Sequence, residues 1–183
     1  MQRAGKLGLG TAYIAGFKWA LEKDYQYIFE MDCDFSHNPD DLVRLYNASA
    51  KEGFDIAVGS RYVDGGGFVN WPKDRIRLSK NASRYVNFVT CIGIKDPTAG
   101  FIVYKRKVLE TIDLSKIQFI GYAFQIEMKF AARKLGFSIT EVPIIFTERV
   151  EGVSKMSSNI IKEGILGVLK IEWNSWFSSY RKK

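Results

Sequence analysis

Apolar and polar positions along the chain predict strands that alternate with helices. Short apolar runs typical of buried strands occur at residues 27–31, 55–58, 101–104 and 139–146. Apolar side chains recur at helical spacing in residues 42–49, 74–92, 122–135 and 159–177, and around Ile14, Phe17 and Leu21. Pro143 in the last run indicates an edge strand, because proline has no backbone N–H to donate to a neighbouring strand. This alternation is typical of an α/β domain built on a sheet with parallel strands.

Two aspartates follow the first apolar run. Asp32 and Asp34 share one side of an extended chain, because side chains alternate with a period of two. Asn38 and Pro39 predict that a helix begins directly afterwards, so the aspartates are expected at the carboxyl end of a strand, where open α/β sheets bind ligands. Such carboxylates suit Mg²⁺ or Mn²⁺ together with a nucleotide diphosphate. The alternatives are aspartates that only cap a turn and the aspartyl nucleophile of a phosphatase.

Two glycine-rich segments add candidate loops. Lys6 and Gly8 lie in residues 3–12, which enter the first helix. Their spacing matches neither the P-loop nor the dinucleotide fingerprint, so a packed turn between loop and helix is an equally good interpretation. Residues 64–72 predict a mobile loop beside the site.

The charge distribution indicates a local anion site. The chain carries 27 basic and 20 acidic residues, a net charge of +7, and basic residues cluster in 73–84. Arg75 and Ser79 are four residues apart and therefore share a helical face, although a solvated basic helix end is the alternative. Without a helix-turn-helix, zinc-finger or aromatic RNA-binding pattern, nucleic acid is not expected as a partner.

Composition limits the class of protein. With 183 residues, 46% of them hydrophobic, the chain can bury one sizeable core. Neither an uncharged apolar run of membrane-spanning length nor a signal-peptide pattern occurs, so the cytoplasm is the expected compartment. Cys33 and Cys91 are interpreted as reduced packing residues. The single histidine, His37, is expected to cap a turn or lie at the surface.

Taken together, the motifs resemble the family 2 glycosyltransferases of GT-A fold, and among them the dolichyl-phosphate (polyprenyl-phosphate) mannosyltransferases. Six blocks in the family's order carry the resemblance, at residues 5–12, 31–37, 59–62, 75–79, 96–101 and 148–155. The resemblance implies a Rossmann-like mixed sheet flanked by helices over residues 1–156, and a C-terminal amphipathic helix over 157–183. Relatives begin with strands that hold the base and ribose, so this chain is expected to be an N-terminally truncated domain that is inactive alone.

The resemblance also implies roles for individual residues. Asp32 and Asp34 would hold the metal with Ser36 as a third oxygen ligand, and Lys6 and Gly8 would join the two aspartates at the donor diphosphate. The acceptor phosphate would be gripped by Arg61, Arg75, Ser79 and Arg149. The catalytic set implied is Asp32, Asp34, Arg61, Arg75 and Arg149.

The implied reaction is a metal-dependent, inverting transfer of mannose from GDP-mannose to a dolichyl or polyprenyl phosphate. A phosphate monoester is already an anionic nucleophile near neutral pH and needs no general base. Asp96 is a base candidate only if the acceptor is a hydroxyl group.

Alternatives stay open for both the reaction and the last helix. The chain could belong to a glucosyl or other polyprenyl-phosphate glycosyltransferase, or it could be a non-catalytic subunit that binds the acceptor. Its terminal helix, with tryptophans and a basic tail, suits either a membrane surface or the domain's own core. An enzyme of this kind is expected to be peripheral, on the cytoplasmic face of a membrane.

Overall fold

A computed structural model describes residues 5, 7–121, 123–148 and 158–182, with the side chains of the last helix described from residue 164 onward. Helices and strands alternate through most of this part of the chain. In chain order they are α1 Leu9–Leu21, β1 Tyr27–Glu30, α2 Asp41–Ala50, β2 Ile56–Ser60, β3 Gly67–Val69, α3 Lys73–Thr90, β4 Ile102–Lys105, α4 Arg106–Thr111, α5 Ala123–Lys134, β5 Ile139–Pro143, β6 Ile145–Thr147 and α6 Ser158–Ser175.

The main sheet is mixed and has helices on both faces. Its strand order is β1-β4-β2-β5. β4 runs antiparallel to β1 and β2, while β2 and β5 are parallel. Leu45 of α2 packs with Ala57 and Val103 on one face, whereas Phe17 of α1 and Phe124 of α5 belong to the larger core on the other. The mixed, helix-flanked sheet agrees with the expected fold class, and β5, which ends at Pro143, is an edge strand as predicted.

A second, two-stranded parallel sheet joins β3 to β6. Part of the segment expected to be a mobile loop, residues 64–72, is therefore a strand. The sequence pattern missed it because its partner lies more than seventy positions away, at Ile145–Thr147. β6 follows edge strand β5 after a single residue, so the break beside Pro143 directs the chain from one sheet to the other.

The helix after the aspartates begins later than predicted. α2 starts at Asp41, and Asn38 instead accepts a hydrogen bond from the Asp40 backbone N–H through its side-chain oxygen, at 3.1 Å. Short-range side-chain bonding of this kind forms a turn that competes with a helical N-cap. The prediction that Asn38 and Pro39 begin the helix is wrong by two residues, since Asp40 is the N-cap and Asp41 the first helical residue.

The last helix, α6, has two apolar faces. Val168 and Ile171 are buried in the core, so docking on the domain is observed. Exposed side chains with helical spacing form a second face, which we call the outer stripe: Leu166, Leu169, Trp173, Trp176 and the adjacent Phe177. Among the described helices, none has the length and apolar character needed to cross a bilayer.

Gly10, at the start of α1, is packed too closely for a larger residue. A Cβ at Gly10 would lie 2.7 Å from the Phe124 ring and 2.8 Å from the Phe119 carbonyl oxygen. We expect Gly10→Ala to lower the free energy of unfolding by about 1–3 kcal/mol through overpacking. Gly16→Ala, on the same helix with nothing within 4 Å, should instead raise it by up to about 1 kcal/mol, because alanine favours helix. Urea unfolding of both variants checks this, and equal losses would contradict it.

Candidate active site

Strand β1 delivers the paired aspartates to the edge of the sheet, but not in an extended conformation. The strand ends at Glu30, and the chain then bends through Phe35, which has a left-handed φ of 61°. Asp32 and Asp34 are half-buried, whereas Cys33 between them is exposed and Phe35 is 91% exposed. Both aspartates are thus sheltered in a bend, while Cys33 between them is open to solvent.

Hydrogen bonds fix this bend. The Tyr13 hydroxyl of α1 lies 3.4 Å from Asp32 Oδ1, and the Ser36 backbone N–H donates to Asp34 Oδ1 at 3.1 Å. The Ser36 carbonyl accepts from the Thr147 N–H at 3.1 Å, which ties the bend to β6. The Ser36 hydroxyl oxygen is buried and has no hydrogen-bond partner within the described part of the chain.

These oxygens fit a divalent metal held jointly with a substrate. Within the described residues, no three acidic, histidine or cysteine side chains are grouped as a metal-binding set. Asp32 and Asp34 therefore offer two hard oxygen ligands, and Ser36 could add a third only if its buried hydroxyl turned outward. Mg²⁺ and Mn²⁺ are commonly bound by one or two carboxylates plus phosphate oxygens. The remaining ligands would have to come from a diphosphate and from water.

His37 is buried, so the surface alternative is wrong, whereas its ring nitrogen caps the bend as the other alternative expected. Its ring packs 4.9 Å from the centroid of Phe101 and 5.2 Å from that of Phe146. The Asp32 backbone N–H points to His37 Nδ1 at 3.4 Å. Burial lowers the pKa of His37, although Asp32 opposes this shift. A neutral imidazole thus lies beneath the aspartate bend as a packing residue.

Arg61 follows β2 and is locked in an ion pair. Its Nε and NH2 atoms donate to the two carboxylate oxygens of Asp96 at 2.6 and 2.7 Å, and NH2 also donates to Thr98 at 2.9 Å. Burial alone would raise the pKa of the fully buried Asp96, but the Arg61 guanidinium outweighs it and the pKa is lowered. Asp96 is therefore an anchoring carboxylate and not a general base.

Four aromatic rings surround this guanidinium, and we call them the aromatic cage. The Arg61 Cζ atom lies 5.5–5.8 Å from the ring centroids of Tyr62, Phe68, Trp71 and Phe146. Phe68 belongs to β3 and Phe146 to β6, so the pairing of these two strands brings both rings next to the Arg61 guanidinium. The cation also gains from facing aromatic rings.

Arg75 lies on the first turn of α3 and shares the cage. Its guanidinium carbon is 4.0 Å from the Trp71 ring centroid, and NH1 donates to both carboxylate oxygens of Glu148, at 2.8 and 2.6 Å. Ser79, one turn further along α3, is near Tyr62: burial raises the pKa of the Tyr62 hydroxyl, and the Ser79 hydroxyl offsets part of that shift. Arg75 and Ser79 thus border the cage together.

The carboxylate bend and the arginines form one continuous site. Phe146 contacts both His37 and Arg61, and Trp71 contacts both Arg61 and Arg75. Burial would lower the pKa of Arg61, but the Asp96 carboxylate raises it and Asp32 adds a smaller contribution. The structure thus brings together five of the residues predicted for the site, Asp32, Asp34, Ser36, Arg61 and Arg75, with Ser79 at the border.

Other predicted residues lie elsewhere or outside the described part. Gly8 has a φ of +96°, and a Cβ there would lie 3.1 Å from Ile120, which favours the packed-turn interpretation of the glycine-rich entry; its diphosphate role stays a prediction. Lys6 and Arg149 fall outside the described residues. Cys33 and Cys91 are free, as expected, but exposed. The prediction that they pack in the core is wrong, because Cys33 lies in the exposed bend and Cys91 is the left-handed C-cap of α3.

Sequence reasoning also missed two buried ionisable side chains behind the site. Glu30 and Lys129 are 1% and 0% exposed, and Lys129 Nζ donates to the carbonyl oxygens of Pro97, Ala99 and Gln125. Lys129 therefore holds the turn that carries Asp96. Burial raises the pKa of Glu30 and lowers that of Lys129, while each charge partly offsets the other's shift. Their apolar neighbours on β1 and α5 give no local signal for such charges.

Known proteins are similar to this chain over most of its length. The family model described as glycosyl transferase family 2 matches residues 1–113. A polyprenol monophosphomannose synthase of Mycolicibacterium smegmatis is 51% identical over 173 residues, which cover 94% of this chain and 64% of that protein. An undecaprenyl-phosphate mannosyltransferase of Micrococcus luteus is 44% identical over 170 residues, covering 93% and 69%. The chain thus spans about two thirds of the length of these relatives.

Solved structures are similar in fold. A glucosyl-3-phosphoglycerate synthase from Mycobacterium tuberculosis, in complex with Mn²⁺, UDP-glucose and phosphoglyceric acid, aligns with a TM-score of 0.62 at 15% identity, over 94% of this chain and 56% of that one. Its complex with phosphoglyceric acid gives a TM-score of 0.61 at 14% identity, over 93% and 56%. At such identities the likeness concerns the fold alone, and it confirms the GT-A class.

Proposed function

Because this chain belongs to glycosyl transferase family 2, we propose that it forms the metal and acceptor half of a mannosyltransferase whose acceptor is a polyprenyl or dolichyl phosphate. The observation that carries the proposal is the junction of two unlike sites: Phe146 packs against His37 of the aspartate bend and also faces Arg61 of the arginine cluster. A diphosphate with its metal suits the carboxylates, and a phosphate suits the arginines. The names of the relatives from M. smegmatis and M. luteus support this substrate pair.

The proposed reaction is a single displacement. An oxygen of the carrier phosphate forms a bond to C1 of the mannose, while the bond between C1 and the diphosphate oxygen breaks and its electron pair leaves with GDP. Attack opposite to the leaving group inverts the anomeric carbon. Asp32 and Asp34 would hold Mg²⁺ or Mn²⁺, which supplies positive charge to the departing diphosphate.

The polar groups of the site fit a reaction without a general base. His37 directs Nδ1 at the Asp32 N–H, and Asp96 is occupied by Arg61, so neither is placed to take a proton from an acceptor. A phosphate monoester needs no such help, since it is anionic near neutral pH. Arg75, the more exposed of the two arginines, would bind the phosphate, while Arg61, whose charge is already paired with Asp96, would hold the aromatic rings in place around it.

We further propose that the outer stripe lies on a membrane, where a lipid-linked acceptor resides. Trp173, Trp176 and Phe177 are 61%, 68% and 74% exposed, and Arg181 and Lys182 follow them in the chain. Aromatic side chains beside basic ones suit the interface of an anionic bilayer. The cytoplasmic face stays a prediction from the sequence.

A vesicle experiment tests the stripe. The double variant Trp173→Ser/Trp176→Ser should weaken binding to phosphatidylglycerol-containing vesicles by at least about tenfold, because two large apolar side chains no longer enter the interface. Trp19→Ser, which removes a tryptophan of α1 that is 45% exposed, is the matched control and should bind as the unaltered protein does. Co-sedimentation measures both, and equal effects would disprove the assignment of the stripe.

A donor panel tests the proposed reaction. The full-length protein is incubated with polyprenyl phosphate, Mg²⁺ or Mn²⁺, and GDP-mannose, UDP-glucose or UDP-galactose in turn. We expect lipid-linked sugar from GDP-mannose and none after chelation of the metal. If only a uridine nucleotide supports transfer, the proposed donor sugar, mannose, is wrong. A lack of transfer from any donor would favour a non-catalytic subunit.

A further inference from the structure

Arg75 is occupied by an anion of the protein itself. Its NH1 atom donates to both Glu148 oxygens, the shorter contact being 2.6 Å, and the two side chains are only 24% and 25% exposed. The guanidinium lies 4.0 Å from the centroid of Trp71. An arginine clamped between a carboxylate and an indole ring is already positioned for an anion before any ligand arrives.

The backbone holds both partners of this contact in place. The Glu148 N–H donates to the Val69 carbonyl at 3.0 Å, next to the β3 and β6 pairing, and Arg75 lies on the first turn of α3, whose backbone bonds begin with Ile76 N–H to the Pro72 carbonyl. The ion pair is therefore a built feature and not the chance meeting of two long surface side chains.

We propose that Glu148 is an internal anion that occupies Arg75 while the acceptor site is empty and that the phosphate of the acceptor displaces it. This inference rests on the proposed function, because it takes Arg75 as a ligand of that phosphate. With Glu148 in contact, Arg75 offers no net charge to a phosphate. Once the carboxylate leaves, the full guanidinium charge and its paired donors face the ligand.

The arrangement makes binding to Arg75 an exchange of one anion for another. The exchange weakens the binding of the substrate, a phosphate monoester, and of the product, a phosphate diester, because both must displace the same carboxylate. A product that binds tightly leaves slowly, and product release limits the turnover of many enzymes. Glu148 therefore sets the affinity for the carrier at a level that lets the lipid product leave.

The ion pairs of Arg61 and Arg75 differ in how easily they can open. Asp96 has a side chain that is 0% exposed and also receives the Arg61 backbone N–H, so that pair cannot open without burying an unpaired charge. Glu148, at 25% exposure, can turn its carboxylate into water. Arg75 is the exchangeable arginine of the described pair, and Arg61 is the fixed one.

Calorimetry on the full-length protein with farnesyl phosphate and a farnesyl phosphodiester tests the proposal. Glu148→Gln should lower the Kd of both ligands by about tenfold, since a competing charged contact is removed. Glu110→Gln is the control, because Glu110 makes a 2.6 Å contact with Arg106 in α4, an ion pair of similar length outside the site, and both Kd values should stay unchanged.

Each outcome separates the inference from the proposed function. An unchanged or higher Kd in Glu148→Gln, with thermal unfolding like that of the unaltered protein, would overturn the exchange and leave Glu148 as a support for Arg75. Arg75→Gln should abolish the binding of both ligands. If Arg75→Gln binds them as well as the unaltered protein does, the acceptor site itself is misplaced and the proposed function fails.

Discussion

Arg61→Ala should lower the free energy of unfolding by about 3–5 kcal/mol, because it leaves the fully buried carboxylate of Asp96 without its cation. Arg75→Ala removes the same side chain from a partly exposed pair and should cost about 1 kcal/mol or less. Guanidinium chloride unfolding of the two variants measures the difference directly. Similar losses in both would show that the Arg61 and Asp96 pair is not the anchor described above.

A double variant makes this expectation more specific. Arg61→Met/Asp96→Asn removes both charges and keeps most of the volume, so part of the lost stability should return. No recovery would mean that the cage rings and not the charge pair account for the loss. Binding tests of Arg61 as a contact of the acceptor phosphate are therefore informative only in variants that remain folded.

Asp32→Asn and Asp34→Asn should each reduce metal-dependent transfer by the full-length protein by more than about hundredfold. Loss of groups that only support metal ligands already costs about 10- to 100-fold, and here one of two carboxylate ligands is lost. Folding should change little, since the contact of Asp32 with Tyr13 is long, at 3.4 Å. A transfer assay with GDP-mannose measures the loss of activity, and calorimetry of nucleotide with and without Mg²⁺ measures the loss of metal-dependent affinity.

The exposed Asp40 supplies the control for this prediction. It makes no side-chain cap contact with α2, so Asp40→Asn should leave metal-dependent affinity unchanged. Because no third acidic, histidine or cysteine ligand is grouped with the aspartates in the described part, metal alone should bind weakly to the unaltered protein. Unaltered metal-dependent affinity in both Asp32→Asn and Asp34→Asn would contradict the metal assignment.

Local patterns were sufficient to predict the elements that present the site. The apolar run before Asp32 predicted β1, and the spacing of apolar residues after Asp74 predicted α3 with Arg75 near its start. Gly136, with a φ of 86°, ends α5 as expected, because glycine tolerates that conformation. These features depend on neighbours within a few residues, which the sequence displays directly.

Contacts between distant residues could not be predicted in this way. Arg61 meets Asp96 across 35 positions and Arg75 meets Glu148 across 73, and no local period marks either pair. The resemblance indicated that these arginines bind phosphate, but not that carboxylates of the protein already hold them. The burial of His37 likewise depends on Phe101 and Phe146, which reach it from other strands.

The choice of acceptor tests the central claim most directly. The full-length protein is supplied with GDP-[³H]mannose and Mg²⁺, and lipid-extractable label is compared between polyprenyl phosphate and the corresponding polyprenol at equal concentration. Among the described residues, the site has arginines for a phosphate and none placed to activate a hydroxyl group. Label should therefore enter lipid only with the phosphate, and Arg75→Gln should abolish it. Equal labelling of the polyprenol would contradict a phosphate acceptor and require a general base that the described site does not contain.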